Sequence, residues 1–231
     1  MPRRKDKDTS RNPNGQLKMR AIKPMTTNQE RVFDYYDDTR HLMLHGVAGT
    51  GKTFLAMYLA LDSVFNKEYQ RVIIVRSVVP TRDMGFLPGN QKEKQRVYEQ
   101  PYQAIVTELF QRGDAYDIMK GKNLVDFIST SFIRGVTLDN CVVIVDECQN
   151  MTFHELDSVI TRMGENCRVV FCGDYRQTDL LRDNEKAGLK DFMHIIDSMH
   201  HFETVEFVEE DIVRSALVKE YIMAKLRHGK T

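Results

Sequence analysis

One stretch of eight residues, Gly46-Val47-Ala48-Gly49-Thr50-Gly51-Lys52-Thr53, constrains this chain more than any other. It fits the pattern G-x4-G-K-[ST]. The apolar run HLMLHG leads into it and an amphipathic segment, 53–64, follows. A strand that turns through glycines into a helix aims successive backbone N–H groups at one point, with the positive end of the helix dipole behind them. Phosphate suits that point. Lys52 would place a charge between the β- and γ-phosphates, and the Thr53 hydroxyl would ligate Mg2+. Gly46, Val47, Ala48, Gly49, Thr50, Gly51, Lys52 and Thr53 are therefore the expected nucleotide-binding set.

The rest of the chain predicts a matching architecture. Strand-like runs at 41–46, 71–76, 124–129, 141–145, 168–172 and 204–207 alternate with helical spacing at 53–64, 92–110, 153–163, 190–199 and 215–226. An earlier helix starts at Thr27-Asn28, with Glu30 in its first turn. Unbroken apolar strands separated by helices indicate a parallel sheet covered on both faces. The fold class is α/β, a P-loop NTPase of RecA-like type.

Composition narrows the rest. With 231 residues, 42% hydrophobic and 29% charged, the chain suits one soluble domain and is neither disordered nor fibrous. No apolar run approaches the roughly 20 residues of a spanning helix, so no membrane partner is expected. The N-terminus has no apolar stretch of the secretory kind, and the expected location is cytoplasmic, or host cytoplasm if a virus encodes the chain. Residues 1–23 hold eight Lys or Arg against Asp6 and Asp8, with sparse apolar residues, and predict a mobile basic arm ahead of a domain at 24–231. Such an arm can attract nucleic acid or remain a solvated terminus. Net charge is zero, so the domain itself is mildly acidic. Cys141, Cys148, Cys167 and Cys172 form no C-x-x-C pair and read as small core residues in a reducing compartment. The seven histidines lack metal-site spacing, and no structural metal is expected.

Two further strand ends carry chemistry. The run Val142-Val143-Ile144-Val145 ends in Asp146-Glu147. At the carboxyl edge of a parallel sheet these carboxylates lie beside the phosphate loop. Asp146 is expected to hold Mg2+ through water, and Glu147 to polarise an attacking water. Together they argue for nucleoside triphosphate hydrolysis and against a small-molecule kinase. The next strand ends in Gly173-Asp174-Tyr175-Arg176-Gln177, where Gln177 would sense the γ-phosphate or the segment is a plain Gly-Asp turn.

These residues resemble the PhoH family, whose ATPase core is related to superfamily 1 helicases. The shared stretches are 46–53, MGFLPG at 84–89, IRGVTL at 133–138, VDECQNMT at 145–152, GDYRQTDL at 173–180, Gly188-Leu189 and DIVRSALV at 211–218. They keep family order and cover roughly residues 26–228. The resemblance implies ATP and Mg2+ as ligands. It implies adenine reading by Gln29, or an ordinary helix-start Gln. It implies a nucleic-acid-facing segment from Arg76 to Gly89, and a charge-stabilising role for Arg214, with Arg134 and Arg162 as competing arginines. Cys148 stands where the family often has Ala, and Ser215-Ala216 where it often has His-Pro; the second departure bears on the role of Arg214. A single core supplies no partner-core arginine, so one reaches back in cis or comes from a neighbouring subunit; the resemblance implies the second, a homo-oligomer with a hexameric ring favoured. The expected function is Mg-dependent ATP hydrolysis coupled to RNA or single-stranded DNA, of helicase or translocase type. The alternative is a nucleotide-gated oligomeric assembly module with slow hydrolysis and no nucleic-acid substrate.

Overall fold

Six short apolar runs become the strands of one sheet. A computed structural model of the protein describes residues 17–77, 91–174 and 183–228, without the side chains of 91–95 and 183–187. In chain order the elements are α1 (Thr27–Asp37), β1 (His41–Gly46), α2 (Lys52–Phe65), β2 (Arg71–Arg76), α3 (Gln91–Phe110), α4 (Ala115–Gly121), β3 (Val125–Ser129), β4 (Cys141–Asp146), α5 (Phe153–Ile160), β5 (Arg168–Gly173), α6 (Asp183–Asp197), β6 (Phe202–Phe207) and α7 (Ala216–Arg227). The sheet order is β3-β2-β4-β5-β1-β6, and every pairing is parallel.

Side chains alternate across the pleat, so each strand feeds two cores. Leu42, Leu44, Val72, Ile74, Val142 and Ile144 point to one face, where they meet α1, α2, α3 and α4. Met43, Ile73, Val75, Val143, Val145 and Phe171 point to the other, against α5 and α6. Both faces are dry, which is why β4 and β5 are buried at every position and read as continuous apolar runs.

Parallel strands place all their carboxyl ends on one edge. β4, β5 and β1 are neighbours there, with Leu44 level with Cys172 and Val145 level with Phe171. The phosphate loop after β1 and the carboxylates after β4 therefore flank the end of β5.

The structure departs from the sequence reading in a few places. The short α4 was not expected. Its seven residues span less than two turns, too few to show a period, and it is held by burial of Ala115, Tyr116 and Met119. α6 begins at Asp183 and not near 190, while α5 ends at Ile160. There the chain turns so that Leu138 bridges Met163. Part of the expected arm, from residue 17 on, packs against the domain. Leu17 is buried in the core, Met19 and Ile22 pack against it, and the Arg20 N–H donates to the Leu109 carbonyl at 2.8 Å. Apolar residues at 17, 19 and 22 supply enough contact to order this stretch. Residues 1–16 lie outside the described residues. No described helix is long and apolar enough to cross a membrane.

Candidate active site

The phosphate loop is held from three sides. β6 runs alongside its first residue, where Gly46 has φ +112 and the Val47 N–H donates to the Phe207 carbonyl at 3.0 Å. A side chain at 46 would sit 2.1 Å from that carbonyl oxygen, so only glycine fits. From within, the buried Thr50 hydroxyl donates to the Val47 carbonyl at 3.0 Å. From α1, the Gln29 side-chain N–H donates to the Thr50 carbonyl at 3.0 Å, while the Gln29 carbonyl accepts from Met25 N–H at 2.8 Å. Gln29 is 3% exposed, and its amide braces the loop. Thr26 caps the helix that carries it.

Lys52 curls over this loop. Its Nζ donates to the Gly46 carbonyl at 2.9 Å and the Val47 carbonyl at 2.8 Å. Burial pulls its pKa down, partly offset by Asp174, Cys172, Glu147 and Asp146. Next to it, the Thr53 hydroxyl donates to Asp146 Oδ1 at 2.8 Å. The Tyr102 hydroxyl, from α3, donates to Asp146 Oδ2 at 2.8 Å. Burial and the neighbouring Glu147 push the Asp146 pKa up, and the bonds from Thr53 and Tyr102 and the charge of Arg76 oppose them. Arg76 lies close enough to hydrogen-bond Tyr102; burial acts to lower its pKa, but Tyr102, Asp146 and Glu147 outweigh that and raise it.

Glu147 sits in a left-handed conformation, φ 52 and ψ 41, at the end of β4. A non-glycine residue held there is strained, and such strain concentrates at functional sites. Its carboxylate accepts from Gln149 Nε2 at 2.5 Å, and Gln149 Oε1 accepts from Asp174 N–H at 3.0 Å. The buried Gln149 thus ties the Glu147 carboxylate to the end of β5.

Arg214 packs against the loop at Gly49. The Val213 N–H donates to the Gly49 carbonyl at 3.1 Å. Arg214 Cγ and Ile222 Cδ1 of α7 stand 3.1 and 3.2 Å from where a side chain on Gly49 would begin. A cavity of about 760 Å3 opens between these groups. Its lining combines Lys52, Thr53, Asp146, Glu147, Asp174 and Arg214 with the apolar Ile22, Met25, Phe54 and Ile105.

Most of the sequence-expected residues converge here: the loop, Gln29, Asp146, Glu147 and Arg214. Gln177 and the MGFLPG stretch lie outside the described residues. Arg134 is exposed, and neither it nor Arg162 lines the cavity. Sequence reasoning missed Tyr102 and Gln149, and it assigned Arg76 to a nucleic-acid-facing segment although its charge stands beside Asp146. A tyrosine in an amphipathic helix reads as core, and nothing in its spacing reveals a carboxylate partner. The lining at Ile22 was missed because it belonged to the expected arm.

A parallel sheet with a phosphate loop after one strand and paired carboxylates after another defines a P-loop α/β protein of RecA-like fold. Among solved structures, the large terminase from the thermophilic bacteriophage D6E shares this fold, with a TM-score of 0.52 at 11% identity over 86% of this chain and 50% of that one. The chain belongs to the PhoH-like protein family, whose family profile matches residues 21–225. A PhoH-like protein of Mycobacterium leprae is 32% identical over 208 residues, which is 89% of this chain and 58% of that protein. Protein PhoH of Escherichia coli K12 is 35% identical over 210 residues, 89% of this chain and 59% of that protein. The chain thus spans just under three fifths of the length of these relatives.

Proposed function

We propose that this protein hydrolyses ATP with Mg2+ and couples the reaction to RNA or single-stranded DNA. The observation that carries the reading is the 2.8 Å bond between Thr53 Oγ1 and Asp146 Oδ1 at the mouth of the phosphate loop, with Glu147 next in sequence. A hydroxyl and a buried carboxylate oxygen side by side are the hard oxygen donors that Mg2+ takes. Thr53 and Asp146 would hold the ion, which would supply positive charge against the phosphates. Lys52 would exchange the Gly46 and Val47 carbonyls for β- and γ-phosphate oxygens. Glu147 would accept the proton of the attacking water, with Gln149 fixing its carboxylate. The adenine would pack against the apolar lining of Ile22, Met25 and Phe54, near Gln29. Arg214, and by position after β5 Gln177, would stabilise charge on the γ-phosphoryl group.

With Arg214 the site has an arginine in its own chain. The ring assembly implied by the family resemblance is carried in this proposal on the exposed Leu217, Val218 and Tyr221 of α7. Light scattering that found a monomer with full turnover would remove it.

The deciding experiment is steady-state ATP hydrolysis with and without single-stranded RNA and DNA, at low and moderate salt, since phosphate contacts weaken as salt rises. Turnover that rises with nucleic acid supports the coupling. Turnover indifferent to nucleic acid favours the assembly module. Glu147→Gln should retain nucleotide binding and lose about 10²- to 10⁴-fold in turnover. Near-normal turnover in that variant would move the base role elsewhere.

A further inference from the structure

Asp146 is gripped from two directions. Its Oδ1 accepts from Thr53 and its Oδ2 from Tyr102, each at 2.8 Å. Tyr102 lies on α3, fully buried, with its ring 6.0 Å from that of Phe127. On the neighbouring strand, Arg76 pairs in register with Asp146, and its charge acts on both Asp146 and Tyr102. A phenol oxygen has one proton to donate and lone pairs to accept. Here it gives its proton to Asp146, and the Arg76 charge stands close by.

We propose that Tyr102, beside Arg76, is a positioning residue that fixes the Asp146 carboxylate plane and reserves its Oδ1 side for the divalent cation. The inference rests on the nucleotide-site reading above. Without the phenol, Oδ2 is free to turn toward the Arg76 guanidinium. A direct ion pair would then compete with the cation for the carboxylate charge. Partners that orient metal ligands typically contribute about 10- to 100-fold in metal affinity. A ring that only fills the core contributes nothing specific to the metal.

The test is Tyr102→Phe, which keeps the ring and deletes the hydroxyl. Affinity for a fluorescent ADP analogue is measured in EDTA and across a Mg2+ titration, with Mn2+ binding by electron paramagnetic resonance as a readout that needs no turnover. Affinity in EDTA should match the parent, and the half-saturating Mg2+ concentration should rise about 10- to 100-fold. An unchanged Mg2+ requirement overturns the proposal. So does an equal loss with and without Mg2+ accompanied by a lower melting temperature. Phe127→Leu loosens the same packing and spares the hydroxyl; if it shifts the Mg2+ midpoint as far, the proposal also falls. Should Tyr102→Phe fail to fold, Tyr102→Met, which also lacks the hydroxyl and keeps Arg76, carries the test, with a raised midpoint supporting the proposal and an unchanged one overturning it. Asp146→Asn separates the two levels: a parent protein whose nucleotide affinity ignores Mg2+, with or without Asp146→Asn, overturns the site reading itself.

Discussion

Lys52 and Gln29 act on the same loop, and their loss should look different. Lys52 bonds carbonyls that phosphate oxygens would replace. Lys52→Ala removes a charged donor, and nucleotide affinity should fall at least about tenfold, measured by equilibrium binding, while the melting temperature holds. Gln29 has no charge to offer phosphate, but its amide is the buried partner of the Thr50 carbonyl and of Met25 N–H. Gln29→Ala leaves both unsatisfied at about 1–3 kcal/mol each at most. It should therefore lower stability in a urea titration as well as affinity. If Gln29→Ala changes affinity alone, the residue reads the ligand and does not brace the loop. The Lys52 role is readable in the loop pattern, but the Gln29 brace is not: a glutamine at a helix start acquires these partners only when α1 packs beside the loop.

At the level of elements, α5 shows how a local signal does more than start a helix. Thr152 and Glu155 form a capping box. Glu155 Oε2 accepts from Thr152 N–H at 2.8 Å, and Oε1 accepts from the Thr130 hydroxyl at 2.6 Å and the Ser77 hydroxyl at 3.3 Å. The cap thereby pins the turn that carries Glu147 to the ends of β2 and β3. Thr152→Ala should cost about 1 kcal/mol of stability. Glu155→Ala should cost more, because it releases the Thr130 and Ser77 hydroxyls as well, and urea midpoints for the two variants check the order. The S/T-x-x-E pattern is readable in sequence, and so is the start of α5. The reach to Ser77 and Thr130 is not, since it depends on β2 and β3 being neighbours.

Across the whole molecule, the amino end of β1 carries a pH-dependent component of stability. The His41 Nδ1 accepts from Val169 N–H at 3.2 Å, so that nitrogen must be unprotonated in the folded state. Burial, with the charges of Arg168 and His201, pulls its pKa down from 6.5 to about 4. Between those values the unfolded chain binds the proton and the folded chain does not. The stability from neutral His41 is thus full above pH 6.5 and is lost as pH falls toward 4. Melting temperatures across that window should drop more steeply in the parent than in His41→Asn. Equal slopes would place the titration elsewhere.

Each strand's apolar run was legible because a parallel sheet buries both faces, and burial at every position writes itself into composition. The phosphate loop was legible because its glycines answer to local backbone geometry. Asp146 and Glu147 were legible as the end of a fully buried strand. These are local demands, met within a few residues, and the sequence alone settled them together with the fold class. Partnerships across the sheet obey another rule. Tyr102 meets Asp146, Arg214 meets Gly49, and Gln149 meets Asp174 because the order β3-β2-β4-β5-β1-β6 brings distant segments to one edge. A side chain's own type is compatible with many partners, and only packing in three dimensions selects one.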